Sequence, residues 1–209
     1  MNHKNPPSVV LATRNVGKIR EFSEILGNAH LSMISQVDLE ISAVEETGLS
    51  FVENAIIKAR HAALHSGLPA LGEDSGLEVD MLNGAPGIYS ARYAACNDLS
   101  KPLDAENNRK LLRELMAATT EEERTARFQC VLVLLKHDHD PSPLIFQGTW
   151  EGCILFSPQG ENGFGYDPLF YVPTHKVSAA ELPPMIKNQI SHRAIAIKKL
   201  IQQLYTART

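Results

Sequence analysis

The chain has 209 residues, of which 44% are hydrophobic and 21% charged, and this ordinary balance excludes a disordered or fibrous protein. The formal net charge of −4 at pH 7 argues against a protein that coats nucleic acid or an anionic membrane, because both surfaces repel a net acidic partner. Three dispersed cysteines without a C-x-x-C pair indicate no disulfide framework and fit a reducing compartment.

Hydrophobic periodicity and turn residues divide the chain into alternating strands and helices. Six segments predict strands: Ser8–Ala12, Leu31–Ile34, Pro69–Glu73, Ala126–Lys136, Leu144–Phe156 and Leu169–Val172. Four predict helices: Lys18–Leu26, Phe51–His65, Asn107–Ala117 and a last helix that begins near Ser191. The two longest strands form a hairpin-like pair, and the alternation as a whole indicates a mixed α/β fold. Because no repeat or linker interrupts it, we expect one domain over residues 1–209, with the core at 8–205 and a flexible stretch at 1–7.

The apolar run Ser8–Ala12 near the N-terminus is too short for the core of a signal peptide. It is also far too short to span a bilayer. We therefore expect a soluble, cytoplasmic protein.

The first candidate for chemistry is the polar turn Thr13–Lys18. A strand that ends in such a turn and opens a helix points free backbone N–H groups outward, which suits phosphate. The turn is not a Walker A loop, because Ala12 and Ile19 occupy positions where that pattern requires Gly and Ser or Thr. On this segment alone, an ordinary strand–helix turn is an equally good interpretation.

The second candidate is a set of carboxylates. Asp74 follows a predicted buried strand and precedes Ser-Gly, so we expect it at a strand end, next to Glu73. Carboxylates in loops beside a phosphate site commonly hold Mg²⁺, with substrate oxygens and waters completing the coordination shell. Glu45 and Glu46, taken alone, would more often form an exposed acidic turn.

Two further segments bear on ligand binding. In Gly163–Pro168 the two glycines leave Phe164 free to stack on a flat ligand, and Asp167 could accept a base N–H. By itself this segment is more simply a tight turn before a strand. Near Ser191 the last helix would begin with His192 and Arg193, whose positive charge opposes the helix dipole. Either an anionic or carbonyl-bearing ligand or a nearby carboxylate would explain that charge.

Several other residues are interpreted as structural. His61 and His65 are assigned to the surface or to packing, and the tract His137–Asp140 is assigned to a solvated hairpin loop. The cysteines and Trp150 are assigned to the core. The segment Asn83–Tyr93 is dense in turn residues and indicates no particular chemistry.

Together the segments resemble a known family. Five of them occur in order: TRNVGK at Thr13–Lys18, EETGLSFVENAIIKA at Glu45–Ala59, EDSGLEVDMLNGAPGIYSARY at Glu73–Tyr93, GFGYDP at Gly163–Pro168 and ISHR at Ile190–Arg193. They are similar to the pyrophosphatases of non-canonical purine nucleoside triphosphates, also called inosine triphosphate pyrophosphatases or XTP/dITP diphosphatases. The resemblance covers the chain from about Val9 to Leu204. Five ordered matches are a strong signal, where any one would be weak.

The resemblance implies a two-lobed α/β fold, with a long, bent mixed sheet flanked by helices and the active site in the cleft between the lobes. It implies a homodimer and a Mg²⁺-dependent reaction that converts ITP, dITP, XTP or dXTP to the monophosphate and pyrophosphate. The cellular role would be to keep deaminated purines out of DNA and RNA. The partner would be a small-molecule substrate, with no nucleic acid and no membrane.

The resemblance also implies roles for individual residues. Asp74 would be the catalytic base, and Glu45 and Asp74 would coordinate the metal. The substrate would contact Thr13, Arg14, Asn15, Val16, Gly17, Lys18, Lys58, Ser75, Phe164, Gly165, Tyr166, Asp167, Lys187, His192 and Arg193. Some positions depart from the family pattern. Arg14 replaces a small or polar residue, Glu73 stands where Asp is common, and Pro184-Met185-Ile186 precedes Lys187 where acidic residues are usual.

Chemistry at the base edge agrees with this interpretation. Hypoxanthine and xanthine present a carbonyl at position six, where adenine presents an amino group, so donors such as Lys187 and Arg193 would favour the deaminated bases. A site built on such hydrogen bonds can reject the mismatched analogue by about 10⁴-fold. Two alternatives stay open from the sequence. One is a nucleotide-binding module without hydrolysis, and the other is a related pyrophosphatase for other modified nucleotides, such as pyrimidine triphosphates.

Overall fold

A computed structural model describes residues 8–27, 31–94 and 103–206 of the chain. The α-helices are Val16–Leu26 (α1), Phe51–Ser66 (α2), Leu103–Glu114 (α3), Pro184–Ile190 (α4) and His192–Thr206 (α5). The strands are Ser8–Ala12 (β1), Ser32–Ser35 (β2), Ala70–Val79 (β3), Thr125–Leu135 (β4), Leu144–Ile154 (β5), Phe170–Val172 (β6) and Val177–Ser178 (β7). Short 3₁₀ helices lie at Asp80–Leu82, Gly87–Arg92 and Glu122–Arg124. The stretch 1–7 and Cys96, for which the sequence predicts flexibility and a core position, lie outside the described residues.

The seven strands form one mixed sheet in the order β2-β1-β3-β4-β5-β6-β7. β1 is parallel to both β2 and β3, with Leu11 opposite Ser35 on one side and Leu71 on the other. β6 is antiparallel to β5 and to β7. The mixed α/β fold predicted from the sequence is therefore confirmed. Parallel strands joined by helices, as in β1-α1-β2, place polar turns at the carboxyl ends of the strands.

The chain divides into two compact units. The first takes in the described residues of Met1–Asp74, Cys130–Gln147 and Ala194–Thr209, and the second takes in those of Ser75–Gln129 and Gly148–Arg193. In the first unit, the largest core cluster joins β1, α1 and α5 through Val9, Leu11, Phe22, Leu26, Ile197 and Leu200. In the second unit, the core is aromatic and includes Phe128, Trp150, Phe170 and Tyr166. No helix in the described parts of the chain is long and apolar enough to cross a membrane.

Two predicted boundaries differ from the structure. β3 does not end at Glu73, as predicted, but continues to Val79, so that Asp74 lies inside a strand and not at its end. After Gly76, Leu77 and Val79 are again fully buried. α3 begins at Leu103, ahead of the predicted Asn107.

The seven-residue helix α4 was not predicted. Its first residue is Pro184, and the fixed φ of proline suits the first position of a helix. The helix ends at Ile190, directly before α5 begins at His192. α4 is important because it carries Lys187, whose ammonium group is nearly buried.

Helix α2 packs on β3 through small side chains. Its inner face consists of Ala55, Ala59, Ala62 and Ala63, each at most 3% exposed. A Cβ atom on Gly72 of β3 would lie only 2.0 Å from the carbonyl oxygen of Ala55. The helix can therefore approach the strand closely only because position 72 has no side chain. This close contact brings the residues beside Ala59 near the strand residues that follow Gly72.

The start of α2 is fixed by a capping box formed by Ser50 and Glu53. The Ser50 hydroxyl accepts a hydrogen bond from the Glu53 N–H, and the Glu53 carboxylate accepts one from the Leu49 N–H at 2.9 Å. These bonds satisfy backbone donors that the first helical turn leaves open. At the other end Gly67 adopts φ +66 and donates its N–H to the Ala63 carbonyl.

We expect Ser50→Ala to lower the free energy of unfolding by about 1 kcal/mol, because it removes the cap of the helix that carries Lys58. Ser50→Thr, which keeps the capping hydroxyl, should stay within about 0.5 kcal/mol of wild type. Urea denaturation followed by circular dichroism measures both values. Equal loss in the two variants would contradict the capping role.

Candidate functional site

The predicted phosphate turn joins β1 to α1. The Asn15 side chain caps the helix by accepting a hydrogen bond from the Lys18 N–H at 3.0 Å, and the Asn15 N–H donates to Thr13 Oγ1 at 3.3 Å. Thr13 is nearly buried, whereas Arg14, Asn15 and Val16 are exposed. The first turn of α1 carries no acidic residue. An exposed helix N-terminus with an ordered cap and no acidic residue in its own first turn suits an anion.

Two lysines and three carboxylates come together beside this turn. Lys58 on α2 donates to Asp74 Oδ1 at 2.7 Å and to Glu46 Oε1 at 2.9 Å. Lys18 on α1 donates to Glu73 Oε2 at 2.6 Å. We call these five residues the carboxylate–lysine cluster. The cluster joins two helices and a strand of the first unit, so it depends on tertiary structure and not on any one segment.

The three ion pairs of the carboxylate–lysine cluster influence the protonation of their members. Burial raises the pKa of the Asp74 carboxyl, although Lys58 and Lys18 act in the opposite direction. Burial alone would lower the pKa of Lys58, but the charges of Asp74, Glu73 and Glu46 outweigh it and the pKa is raised. Lys58 therefore stays charged, and Asp74 holds a proton more readily than an ordinary aspartate.

Asp74 has the geometry that a metal ligand or general base needs. Its Oδ1 is held by Lys58, while its Oδ2 is buried and has no hydrogen-bond partner among the described residues. A buried carboxylate oxygen is rarely left without a partner unless it has another function. Within the described ranges no group of three or more His, Cys, Asp or Glu side chains has the arrangement of a complete metal site. Mg²⁺ does not need one, because it binds through one or two carboxylates plus phosphates and waters. These residues therefore fit Mg²⁺.

Sequence reasoning placed Glu45 at the metal, and the structure brings Glu46 to the cluster. Glu46 contacts Lys58 directly, whereas the side chain of Glu45 is exposed. No local pattern separates two adjacent glutamates in a loop, so this difference was not visible in the sequence. The buried Cys130 thiol lies 3.9 Å from Glu73 Oε1 and is a second contact of the cluster that sequence reasoning missed.

In the second unit, a tight loop presents Phe164. Gly163 and Gly165 adopt φ +78 and +65, which suit glycine, so the loop matches the predicted turn. The Phe164 N–H donates to Asp167 Oδ2 at 2.8 Å, and a Cβ atom on Gly163 would lie 2.0 Å from that oxygen. The Asp167 side chain therefore holds the loop closed by binding a backbone group of the same loop.

Two cations lie near the Phe164 ring. Lys187 Nζ lies 5.1 Å from the ring centroid and donates to Asp167 Oδ2 at 2.5 Å. The Arg193 guanidinium lies 5.6 Å from the centroid and donates to Ser75 Oγ at 3.2 Å. The residues Asp167, Lys187 and Arg193 are each at most 5% exposed. The structure thus brings together the five predicted residues Ser75, Phe164, Asp167, Lys187 and Arg193.

Two predicted substrate residues of this unit have their side chains in packing contacts. The His192 ring stacks on Phe128 with centroids 4.8 Å apart and is 3% exposed. The buried Tyr166 hydroxyl donates to the Ser90 carbonyl at 2.8 Å. Any direct contact of Tyr166 with a ligand would therefore involve its backbone.

Ser90 gives the unassigned segment Asn83–Tyr93 a structural role. Its hydroxyl accepts from the Leu77 N–H at 2.9 Å and donates to the Gly87 carbonyl at 2.6 Å. Its carbonyl accepts from Tyr166 and from the Asn107 amide. One small residue thus connects β3, α3 and the Phe164 loop. The sequence does not indicate these contacts, because a serine in a turn-rich segment is common and carries no pattern that predicts burial.

Among the residues interpreted as structural, Trp150 and Cys130 are buried, as predicted. Cys153 is half-buried, so its assignment to the core is met only in part. The interpretation of the hairpin loop was wrong for Asp140, which is 2% exposed. Asp140 accepts hydrogen bonds from the N–H groups of Lys136 and Ser142, both at 3.0 Å, and so closes the turn between β4 and β5.

Comparison with known proteins identifies the family. The profile of the Ham1 family matches residues 9–203. A dITP/XTP pyrophosphatase of Vibrio parahaemolyticus is 55% identical over 196 residues, which cover 94% of this chain and 96% of the relative. The dITP/XTP pyrophosphatase of Escherichia coli K12 is 52% identical over 196 residues, covering 94% of this chain and 97% of the relative.

Solved structures agree with this result. A Ham1 protein from Coxiella burnetii superimposes with a TM-score of 0.86 at 49% identity, covering 96% of this chain and 99% of that one. The Ham1 protein of Staphylococcus aureus superimposes with a TM-score of 0.81 at 42% identity, with the same coverage. The resemblance stated from the sequence motifs is thereby confirmed over nearly the whole chain. This chain belongs to the Ham1 family.

Proposed function

We propose that this protein hydrolyses non-canonical purine nucleoside triphosphates, such as dITP and XTP, to the monophosphate and pyrophosphate. The names of its relatives support this reaction and substrate class. The observation that carries the proposal is the state of Asp74, whose Oδ1 is fixed by Lys58 while its buried Oδ2 has no partner among the described residues. A protein that only binds nucleotides has no need of such a carboxylate.

The first unit would take the phosphates. The residues at the start of α1 are exposed, and Lys18 and Lys58 carry the positive charges that a triphosphate requires. Both ammonium groups are now paired with carboxylates, which fix their positions before any ligand binds. Phosphoryl transfer is accelerated mainly by such positioning and charge neutralisation.

Mg²⁺ would be held by Asp74 and by a glutamate of the 45–46 pair, with phosphate oxygens and waters as the remaining ligands. The sequence motif assigns Glu45 to this role, while the contacts favour Glu46 because it already lies beside Lys58. The bound ion would supply neutralisation of the phosphate charge and polarisation of the phosphoryl oxygens.

The hydrolytic step uses Asp74 as the proton acceptor. A water oxygen forms a bond to the α-phosphorus, and the bond from that phosphorus to the oxygen bridging to the β-phosphate breaks. The water proton passes to the Asp74 carboxylate, and pyrophosphate leaves with the bridging oxygen. Burial, which raises the pKa of Asp74, makes it a better base than an exposed aspartate.

The second unit would take the base. Phe164 would stack on the purine, and Lys187 and Arg193 near its ring would offer donors to the six-carbonyl of hypoxanthine or xanthine. Adenine would present an amino group to these donors and would be rejected. We propose further that the cellular role is removal of deaminated purine triphosphates from the nucleotide pool, by a cytoplasmic homodimer, as the sequence resemblance implies.

The test is hydrolysis of dITP, XTP, dATP and dGTP with Mg²⁺ and with EDTA, with monophosphate, diphosphate, pyrophosphate and phosphate resolved as products. We expect rapid release of pyrophosphate from dITP and XTP, at least about 10³-fold faster than from dATP, and its loss with EDTA. Turnover that persists in EDTA would contradict the metal assignment. Absence of turnover of every purine triphosphate would contradict the proposed reaction.

A further inference from the structure

The loop that carries Phe164 is held by helix α3. The Gly165 N–H donates to Asp104 Oδ2 at 2.7 Å, and the Gly165 carbonyl accepts a hydrogen bond from Asn108 Nδ2 at 3.0 Å. Asp104 and Asn108 are four residues apart and therefore lie on one face of α3. One helix face thus binds both the donor and the acceptor of a single loop residue.

These bonds complete the fixation of Phe164. On its N-terminal side, the Phe164 N–H is bound to Asp167 Oδ2. On its C-terminal side, the Phe164 carbonyl accepts from the Asp167 N–H at 3.3 Å, and the next N–H is the one that Asp104 binds. Both peptide groups that adjoin Phe164 are therefore anchored. Because φ and ψ of a residue are set by these two planes, the direction in which the Phe164 side chain leaves the backbone is set as well.

One polar atom of Asn108 lowers the stability of the fold. Its Oδ1 is buried and has no hydrogen-bond partner among the described residues, although its Nδ2 is bonded to Gly165. A buried acceptor without a partner lowers the stability of a fold. An amide at this position is therefore not explained by stability alone, whereas a role in orienting the loop explains it.

We propose that Asp104 and Asn108 are positioning residues for base recognition, which act through Gly165 to hold Phe164 where it stacks on the purine. This inference rests on the proposed function, because it takes Phe164 as the base platform. It adds α3 to the recognition of the base, although neither residue belongs to a motif that the sequence singled out.

The experiment compares Asn108→Ala and Asp104→Ala with wild type in dITP hydrolysis with Mg²⁺. We expect each variant to raise KM by about fivefold, the equivalent of one ordinary hydrogen bond, and to change kcat by less than about twofold. Asp104→Asn keeps an acceptor oxygen and should restore a KM near wild type. The matched controls are Glu106→Ala, also in the first turn of α3, and Arg109→Ala, its exposed partner, which should leave KM unchanged.

Two readouts separate positioning from a merely structural role. First, the thermal midpoint of Asn108→Ala should equal or exceed that of wild type, because the substitution also removes the unpartnered Oδ1. Second, in a Phe164→Leu background Asn108→Ala should have no further effect on KM, since the residue through which it acts is already altered. Asn108→Asp is a second variant, of the same size as wild type. It replaces the amide donor by a carboxylate that faces the Gly165 carbonyl, so it should raise KM at least as much as Asn108→Ala does.

The outcomes distinguish this inference from the function on which it rests. Wild-type protein without activity on dITP would contradict the proposed function and this inference together. Active wild type with an unchanged KM in Asn108→Ala and Asn108→Asp would overturn this inference alone. Additive effects of Phe164→Leu and Asn108→Ala on KM would overturn it as well.

Discussion

Asp74→Asn should reduce the rate of dITP hydrolysis at saturating substrate and Mg²⁺ by about 10³-fold or more. Asparagine keeps the shape of the side chain, and its amide oxygen can still accept the hydrogen bond from Lys58. It cannot take up the proton of the attacking water, and it offers Mg²⁺ a neutral oxygen in place of a charged one. Pyrophosphate release measured under single-turnover conditions isolates the chemical step from product release.

The control for this substitution is Asp140→Asn, which alters another nearly buried aspartate. Asp140 accepts two backbone N–H bonds in the β4–β5 turn, so its replacement should lower stability and leave kcat unchanged. If Asp74→Asn hydrolysed dITP at the wild-type rate, Asp74 would not be the base. If both variants lost activity to the same extent, the loss would reflect folding and not chemistry.

Gly72→Ala should damage both the fold and the activity. The new methyl group would lie 2.0 Å from the Ala55 carbonyl oxygen and 2.9 Å from the Ala59 Cβ, so α2 must move away from β3. We expect the free energy of unfolding to fall by about 3 kcal/mol or more and the thermal midpoint by about 10 °C. Displacement of α2 would also lengthen the 2.7 Å contact between Lys58 and Asp74, so kcat should fall by at least about tenfold.

The loss of stability is measured by thermal melts followed by circular dichroism. The loss of kcat is measured as dITP turnover at a temperature well below the midpoint, where the variant is folded. The comparison variant is Gly27→Ala, which adds the same methyl group after α1, where φ is −53 and the nearest atom would be 3.2 Å away. Its midpoint should stay within about 3 °C of wild type. A Gly72→Ala protein that melts like wild type would show that the helix–strand contact is not tight.

The outline of the fold was predictable because its elements carry local signals. β1 is a short apolar run, and Ser50, Glu53 and Gly67 mark the two ends of α2 with capping residues. The continuation of β3 beyond Asp74 was not predictable in the same way. Ser75 and Gly76 are typical of turns, and the neighbouring strand β4 overrides that local preference.

The site was predictable as a set of residues but not as a set of contacts. The motifs indicated Lys58 and Asp74, yet nothing in their spacing shows that they form an ion pair across α2 and β3. The choice between Glu45 and Glu46 depends on the path of an irregular loop. Asp104 and Asn108 belong to no motif, and their bonds to Gly165 span 61 and 57 residues. Such long-range contacts are determined by packing, which one sequence does not display.

The carboxylate–lysine cluster has more negative than positive formal charges, since it combines three carboxylates with two ammonium groups. A triphosphate without a cation would therefore meet net repulsion, although each lysine by itself attracts phosphate. In the proposed reaction, the ionic form that enters is the magnesium complex of the nucleotide, whose cation offsets the excess carboxylate. The concentration of free Mg²⁺ would then govern how much of the nucleotide pool the enzyme can bind at all.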